Sequence, residues 1–237
     1  MYIIKISSIL FENLEKNNFD KRFKMFDFKG AIFDLDGTLI DSMDVWEKID
    51  IKFLEKRNIS IPKDYIEKVN DMSFKEVAKY TIERFGLKEN EDDSIKEWNE
   101  MALFEYSNNI KLKPNVKEYL QKLKFNNIRI GLATSSPREL YEVVLKNNKI
   151  YDYFDTFTSL QDVKRDKNYP DIYLLTAKKL EVNIYDCVVF EDILVAINTL
   201  KKANFKVIGV YDKYSIKDIK EIKASCDKFI YDYKELL

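Results

Sequence analysis

From Pro114 onward the apolar residues of this chain switch repeatedly between two periods, and that switching limits the folds open to it. The short runs "IRIGLAT" (128–134), "YFDTFTS" (153–159), "CVVFED" (187–192), "KVIGVYD" (206–212) and "KFIYDY" (228–233) read as strands. Between them, "NVKEYLQKLKF", "SPRELYEVVLKNN", "PDIYLLTAKKL" and "ILVAINTLKKAN" space their apolar residues at helical intervals. Strands alternating with amphipathic helices predict an α/β protein built on a doubly wound, Rossmann-like parallel sheet. An earlier run, "GAIFDLD" (30–36), is short, apolar and followed by Gly37, and it reads as a buried strand of the same sheet.

Residues 43–110 have a different character. "DVWEKIDIKFLEKRN", "SFKEVAKYTIERFG" and "SIKEWNEMALFEY" are helical in period, and no strand pattern interrupts them. Ser73 with Glu76 and Ser94 with Glu97 have the spacing of capping boxes, and Gly86 suits a helix C-terminus. The block therefore reads as an α-helical cap domain, 43–110, inserted into a core of 25–42 and 111–237. Residues 1–24 read as a dispensable N-terminal extension, since a compact domain can start its first strand shortly after Met25.

Composition narrows the chemistry. The chain has 237 residues, 46% of them hydrophobic, and a net charge of −1, so no basic field argues for nucleic acid or an anionic membrane. The first sixteen residues lack a cleavage site and are too short to span a bilayer. Two distant cysteines, Cys187 and Cys226, make neither a disulfide framework nor a zinc site, and reduced thiols point to a cytoplasmic setting. There is no histidine at all, which removes Ser-His-Asp and Cys-His catalysis and the common histidine metal sites. What remains is carboxylate, lysine, hydroxyl and hard-metal chemistry.

The polar residues gather at three strand ends: Asp34 and Asp36 on the first, Thr134 with Ser135 and Ser136 on the next, and Glu191 with Asp192 further on. In a doubly wound sheet ligands bind beyond the carboxyl ends of the strands. A carboxylate deep in an apolar run is costly unless a positive group meets it. Mg2+ suits an oxygen-only donor set of this kind. An EF-hand is the competing reading of "DLDGT", but Thr38 takes the third acid position, the bidentate Glu is missing, and a strand precedes the motif.

"DLDGT" after a strand, "ATSS" closing another, Lys167 in "KNYPDIY" and "FED" at 190–192 stand in the order of the four motifs of the haloacid dehalogenase superfamily, which the chain resembles from about residue 28 onward. "DGTLIDS" followed by a helical insert is similar to the phosphoglycolate phosphatase and β-phosphoglucomutase branch. The resemblance implies Asp34 as the nucleophile forming an aspartyl-phosphate and Asp36 as the acid/base. It implies Mg2+ held by Asp34, the backbone carbonyl of Asp36, and Asp192, with Glu191 in or near the shell. Thr134, Ser135, Ser136, Gly37 and Lys167 would bind the phosphate, with Thr134 and Lys167 also serving catalysis. In "SPRE" Ser136 should cap the following helix, with Pro137 at its first position and Glu139 closing a capping box, so that its N-terminus is aimed at the site. Asn168, Ile193 and Ala196 depart from the family pattern without removing a catalytic group.

The expected function is Mg2+-dependent hydrolysis of a small phosphomonoester, a sugar phosphate or similar metabolite, by a monomer with no nucleic-acid or membrane partner. The first alternative is a β-phosphoglucomutase-type phosphosugar mutase. In that branch an Arg follows the Ser of a cap loop resembling "NDMSFKE", and here the place holds Phe74, with Lys75 next. Arg138 is a partial substitute for that grip. The alternative from another class is a phosphate-binding or phospho-acceptor regulatory module, and Asp36 argues against it because a stalled acceptor needs no acid/base.

Overall fold

The computed structural model describes residues 27–69, 72 and 74–237. The expected extension 1–24 and the Ser73 cap lie outside these residues. Six strands form one parallel sheet: β1 (Gly30–Phe33), β2 (Arg129–Thr134), β3 (Thr156–Ser159), β4 (Cys187–Glu191), β5 (Lys206–Val210) and β6 (Lys228–Ile230). Their spatial order is β3-β2-β1-β4-β5-β6, so the three strands with polar ends are neighbours at the centre. The predicted doubly wound α/β fold is the observed one.

Alternation along each strand divides the core into two layers. Ala31 and Phe33 of β1 face a cluster with Leu132, Val188 and Phe190, closed by α5 (Val116–Phe125) and α6 (Arg138–Asn147). Phe33 stacks on Phe190 with centroids 4.2 Å apart, which ties β1 to β4. On the other face Ile32 joins Ala133, Val189 and Val207 beneath α7 (Asp171–Leu180), α8 (Leu194–Lys202) and α9 (Ile219–Ser225).

Between β1 and β2 run α1 (Val45–Glu55), the short α2 (Tyr65–Val69), α3 (Phe74–Phe85) and α4 (Glu91–Asn108), with no strand among the described residues. The helical period predicted α1, α3 and α4 in this insertion, but not α2. Its buried residues Ile49, Phe53, Trp98, Ala102 and Tyr106 continue the first cluster without a break. The chain leaves and rejoins the sheet side by side: Ile40 pairs with Leu112 in an antiparallel bridge, Asp41 N–H bonds Lys111 O at 3.0 Å, and Lys113 N–H bonds Leu39 O at 2.9 Å.

Local signals held at Gly86, whose φ of 62° ends α3. They failed at Ser94. The α4 N-cap is Asn90, whose side chain accepts from Asp93 N–H at 2.9 Å, and Glu91, Asp92 and Asp93 complement the positive helix end. Ser94 lies inside the helix and donates to Glu89 at 2.8 Å. The box expected at Ser136 is also absent. Pro137 precedes the first turn of α6 without a side-chain cap, because the Ser136 hydroxyl is engaged elsewhere.

Candidate active site

Strand pairing in β1 stops at Phe33, one residue before the first acid. Asp34 N–H still bonds Phe190 O at 3.0 Å, and the chain then turns sharply, with Leu35 O accepting from the N–H groups of Leu39 (2.8 Å) and Ile40 (3.1 Å). Leu35 is buried in the core while Asp34 and Asp36 reach polar partners. Gly37 makes this turn feasible twice over. Its φ of +82° belongs to the left-handed region, and a Cβ there would lie 2.4 Å from Asp192 Oδ2. The turn thereby brings the β1 end against the β4 end.

Asp34, Glu191 and Asp192 are all buried and each offers an oxygen within 4.8 Å of the others. Lys167, itself 7% exposed, donates to Asp34 Oδ1 and, at 2.6 Å, to Glu191 Oε1. Tyr173 also donates to Glu191 Oε1, and Asp192 N–H bonds Glu191 Oε2 at 3.1 Å. Glu191 is thus saturated by donors and anchors the lysine. Asp192 is held by Thr38 Oγ1 at 2.9 Å and by Ser215 at 3.5 Å.

The electrostatics show what the cluster lacks. Burial pushes the Asp34 carboxyl up to about 7, and Lys167 counteracts only part of that. Burial, then Glu191 and Asp34, hold Asp192 well above the usual carboxylate range. Lys167 is raised by Asp34 and Glu191 against the opposing effect of its own burial. Ionising all three carboxylates against one ammonium would leave two negative charges in excess within the cluster, and the donors are all oxygen. The residues fit a hard divalent cation.

Asp36 occupies a second, neutral environment. Its Oδ1 accepts from Ser42 Oγ at 2.6 Å and from the Tyr106 hydroxyl, and its Oδ2 accepts from Ser136 Oγ at 2.7 Å. Thr134, fully buried at the end of β2, accepts from Ser136 N–H at 2.9 Å and so shapes that loop. Ser135 is exposed and makes no side-chain bond in the described structure. Arg138 is exposed and paired with Glu142 at 2.7 Å, on the outer face of α6. A cleft of about 500 Å³ is lined almost wholly by the insertion, by Met43, Trp46, Asp50 and Trp98 among others, with Tyr214 contributed by the core. Its residues Met43 and Tyr214 are chain neighbours of Ser42 and Ser215, which bond Asp36 and Asp192.

Thr38, Ser42, Tyr106, Tyr173 and Ser215 were not foreseen. Tyr106 and Tyr173 look from sequence like apolar positions of amphipathic helices, and no local pattern shows where their hydroxyls point.

Two acids after β1, hydroxyls at the end of β2, an acid pair at the end of β4 and a buried lysine thus converge at the carboxyl ends of the central strands. The chain belongs to the haloacid dehalogenase-like hydrolase family, which it matches over residues 31–210. It is 27% identical to the phosphorylated carbohydrates phosphatase of Thermotoga maritima, over 77% of this chain and 85% of that protein. It is 29% identical to the β-phosphoglucomutase of Bacillus subtilis, over 77% of this chain and 83% of that one. The crystal structure of a β-phosphoglucomutase from Clostridium difficile superimposes with a TM-score of 0.66 at 26% identity, covering 89% of this chain and 93% of that one. No helix among the described residues is long and apolar enough to cross a membrane.

Proposed function

We propose that this protein is a Mg2+-dependent phosphatase acting on a small phosphomonoester, a sugar phosphate or similar metabolite, through an aspartyl-phosphate on Asp34. The observation that carries this reading is the buried Asp34 at the sheet edge, bonded by Lys167 and crowded by Glu191 and Asp192. Mg2+ would be held by Asp34, the carbonyl of Asp36 and Asp192, with Glu191 alongside, and when bound it supplies positive charge to the transferring phosphoryl group.

Asp34 attacks phosphorus as the ester P–O bond breaks. Asp36 gives its proton to the leaving oxygen, then takes one from the water that hydrolyses the acyl phosphate. Lys167 orients Asp34 and balances phosphoryl charge, while Gly37, Thr134, Ser135 and Ser136 line the phosphate side. Residues 43–110 act as a cap that covers the substrate, on a core of 25–42 and 111–237.

A phosphosugar mutase is the second reading, favoured by the similarity to β-phosphoglucomutases. A mutase must grip a second phosphate, yet the ionisable side chains lining the cleft are Glu47, Asp50 and Tyr214. Carboxylates there oppose a second phosphate and support the phosphatase.

The test is a panel of sugar phosphates and p-nitrophenyl phosphate, with Mg2+ or EDTA, for the wild type and Asp34→Asn. Phosphate release that requires both Mg2+ and Asp34 is expected. Full activity of Asp34→Asn, or of the EDTA-treated enzyme, would sink the mechanism. Rapid conversion of β-glucose 1-phosphate to glucose 6-phosphate in the presence of trace 1,6-bisphosphate, with little free phosphate, would establish the mutase instead.

A further inference from the structure

Tyr106 is 1% exposed on α4, and its hydroxyl donates to Asp36 Oδ1 although 70 positions separate the two residues. Ser42 donates to the same oxygen, and Ser136 to the other. A carboxyl group has about four lone-pair sites, two on each oxygen. Oδ1 is therefore filled from two sides, and Oδ2 keeps one site open.

We infer that Tyr106 is a positioning residue for proton transfer: by filling Oδ1 from the insertion, it assigns the exchangeable proton of Asp36 to Oδ2. The inference rests on the reading of Asp36 as the acid/base. As the Asp34–phosphorus bond forms and the ester P–O bond breaks, the proton on Oδ2 passes to the leaving alkoxide. The products are a neutral alcohol and an Asp36 carboxylate, whose new charge the three hydroxyls stabilise. In the second step that carboxylate takes a proton back from the attacking water. Trp98 lies on the same helix and lines the cleft, so one rigid element borders the substrate space and holds the acid.

Leaving-group chemistry separates this role from a structural one. An alkoxide needs a proton as it departs, whereas p-nitrophenolate does not. Tyr106→Phe removes one hydroxyl and keeps the ring. The full-length variant and wild type are compared, with Mg2+, in single-turnover release from p-nitrophenyl phosphate and from the fastest sugar phosphate of the panel above. The sugar phosphate rate should fall about tenfold, part of the ~10²–10⁴-fold that a general acid supplies, and the p-nitrophenyl phosphate rate by less than about twofold. KM should not change for either, and the melting temperature should hold. Equal losses on both substrates, or none on either, would overturn the inference. Asp36→Asn is the control: if it too fails to distinguish the leaving groups, the acid/base reading itself falls.

Discussion

In the insertion, Arg57 bonds Glu89 and Glu97 through side chains that are 19–26% exposed, whereas at the sheet edge Lys167 bonds Asp34 and Glu191 through side chains that are at most 8% exposed. Arg57 also lies 3.6 Å over the Phe53 ring and donates to Phe53 O at 2.9 Å, so packing and water share the work of holding it. The sheet-edge group has no such relief. With Asp192 it buries more acids than bases, and an imbalanced buried cluster costs stability. Ion pairs in the insertion support structure; those at the sheet edge are ones that stability alone does not favour, which is what the proposed chemistry would require.

The sharpest break in that contrast is Asp34→Asn. Turnover should fall by ~10⁴-fold or more, as expected for loss of a covalent nucleophile, while the melting temperature of the metal-free protein holds or rises because a strained buried charge is gone. Loss of the fold would show that Asp34 is structural after all. Lys167→Met comes next: stranding three buried acids should destabilise the metal-free protein by about 3–5 kcal/mol. Added Mg2+ should restore part of this in a melting experiment, by about 2.7 kcal/mol at a hundred times its Kd.

A pH series tests the same imbalance without mutation. Asp34 is raised from 3.8 to about 7 in the folded state, and Asp192 is raised too, so the folded protein keeps protons that the unfolded chain releases. Stability of the metal-free protein should therefore fall as pH rises from about 4 to about 7, by about 1.4 kcal/mol per unit for each proton retained. Asp50 is also raised to about 7 by burial and by Glu47, and it contributes in the same direction, so the series belongs in an Asp50→Asn background. Saturating Mg2+ should flatten the slope; a melting temperature that climbs over this range would contradict the charge deficit. The smallest effect is expected at Arg57→Met, about 1 kcal/mol with turnover within about twofold of wild type. A larger loss of activity there would mean that the insertion's surface pairs also serve the site.

The sheet and the convergence of its polar strand ends were legible because both follow from periodicity: apolar runs count the strands, and parallel winding sends their carboxyl ends one way. Asp34, Asp36, Glu191 and Asp192 could be read from those ends, and Lys167 only from its loop motif, since a lysine between Asp166 and Asn168 looks like any solvated one. The hydroxyls escaped. Period shows that Tyr106 and Tyr173 are inward-facing, but not that their oxygens find carboxylates on other elements. Capping signals erred where another residue did the job better, Asn90 for Ser94, or where a hydroxyl was needed elsewhere, as with Ser136.

The paired crossing at Ile40 and Leu112 has a topological consequence. Residues facing each other across an antiparallel bridge have Cα atoms only about 5 Å apart. The core therefore meets the whole excursion as a single hairpin mouth, and the length of what is strung between its lips adds almost nothing to the entropy of closing the core around it. The mouth is a docking port in polymer terms. A helical module of another size, or a two-residue turn, joined at the same two positions would leave the sheet's own closure unchanged, so the proposed cap can be exchanged while the proposed catalytic core stays as it is.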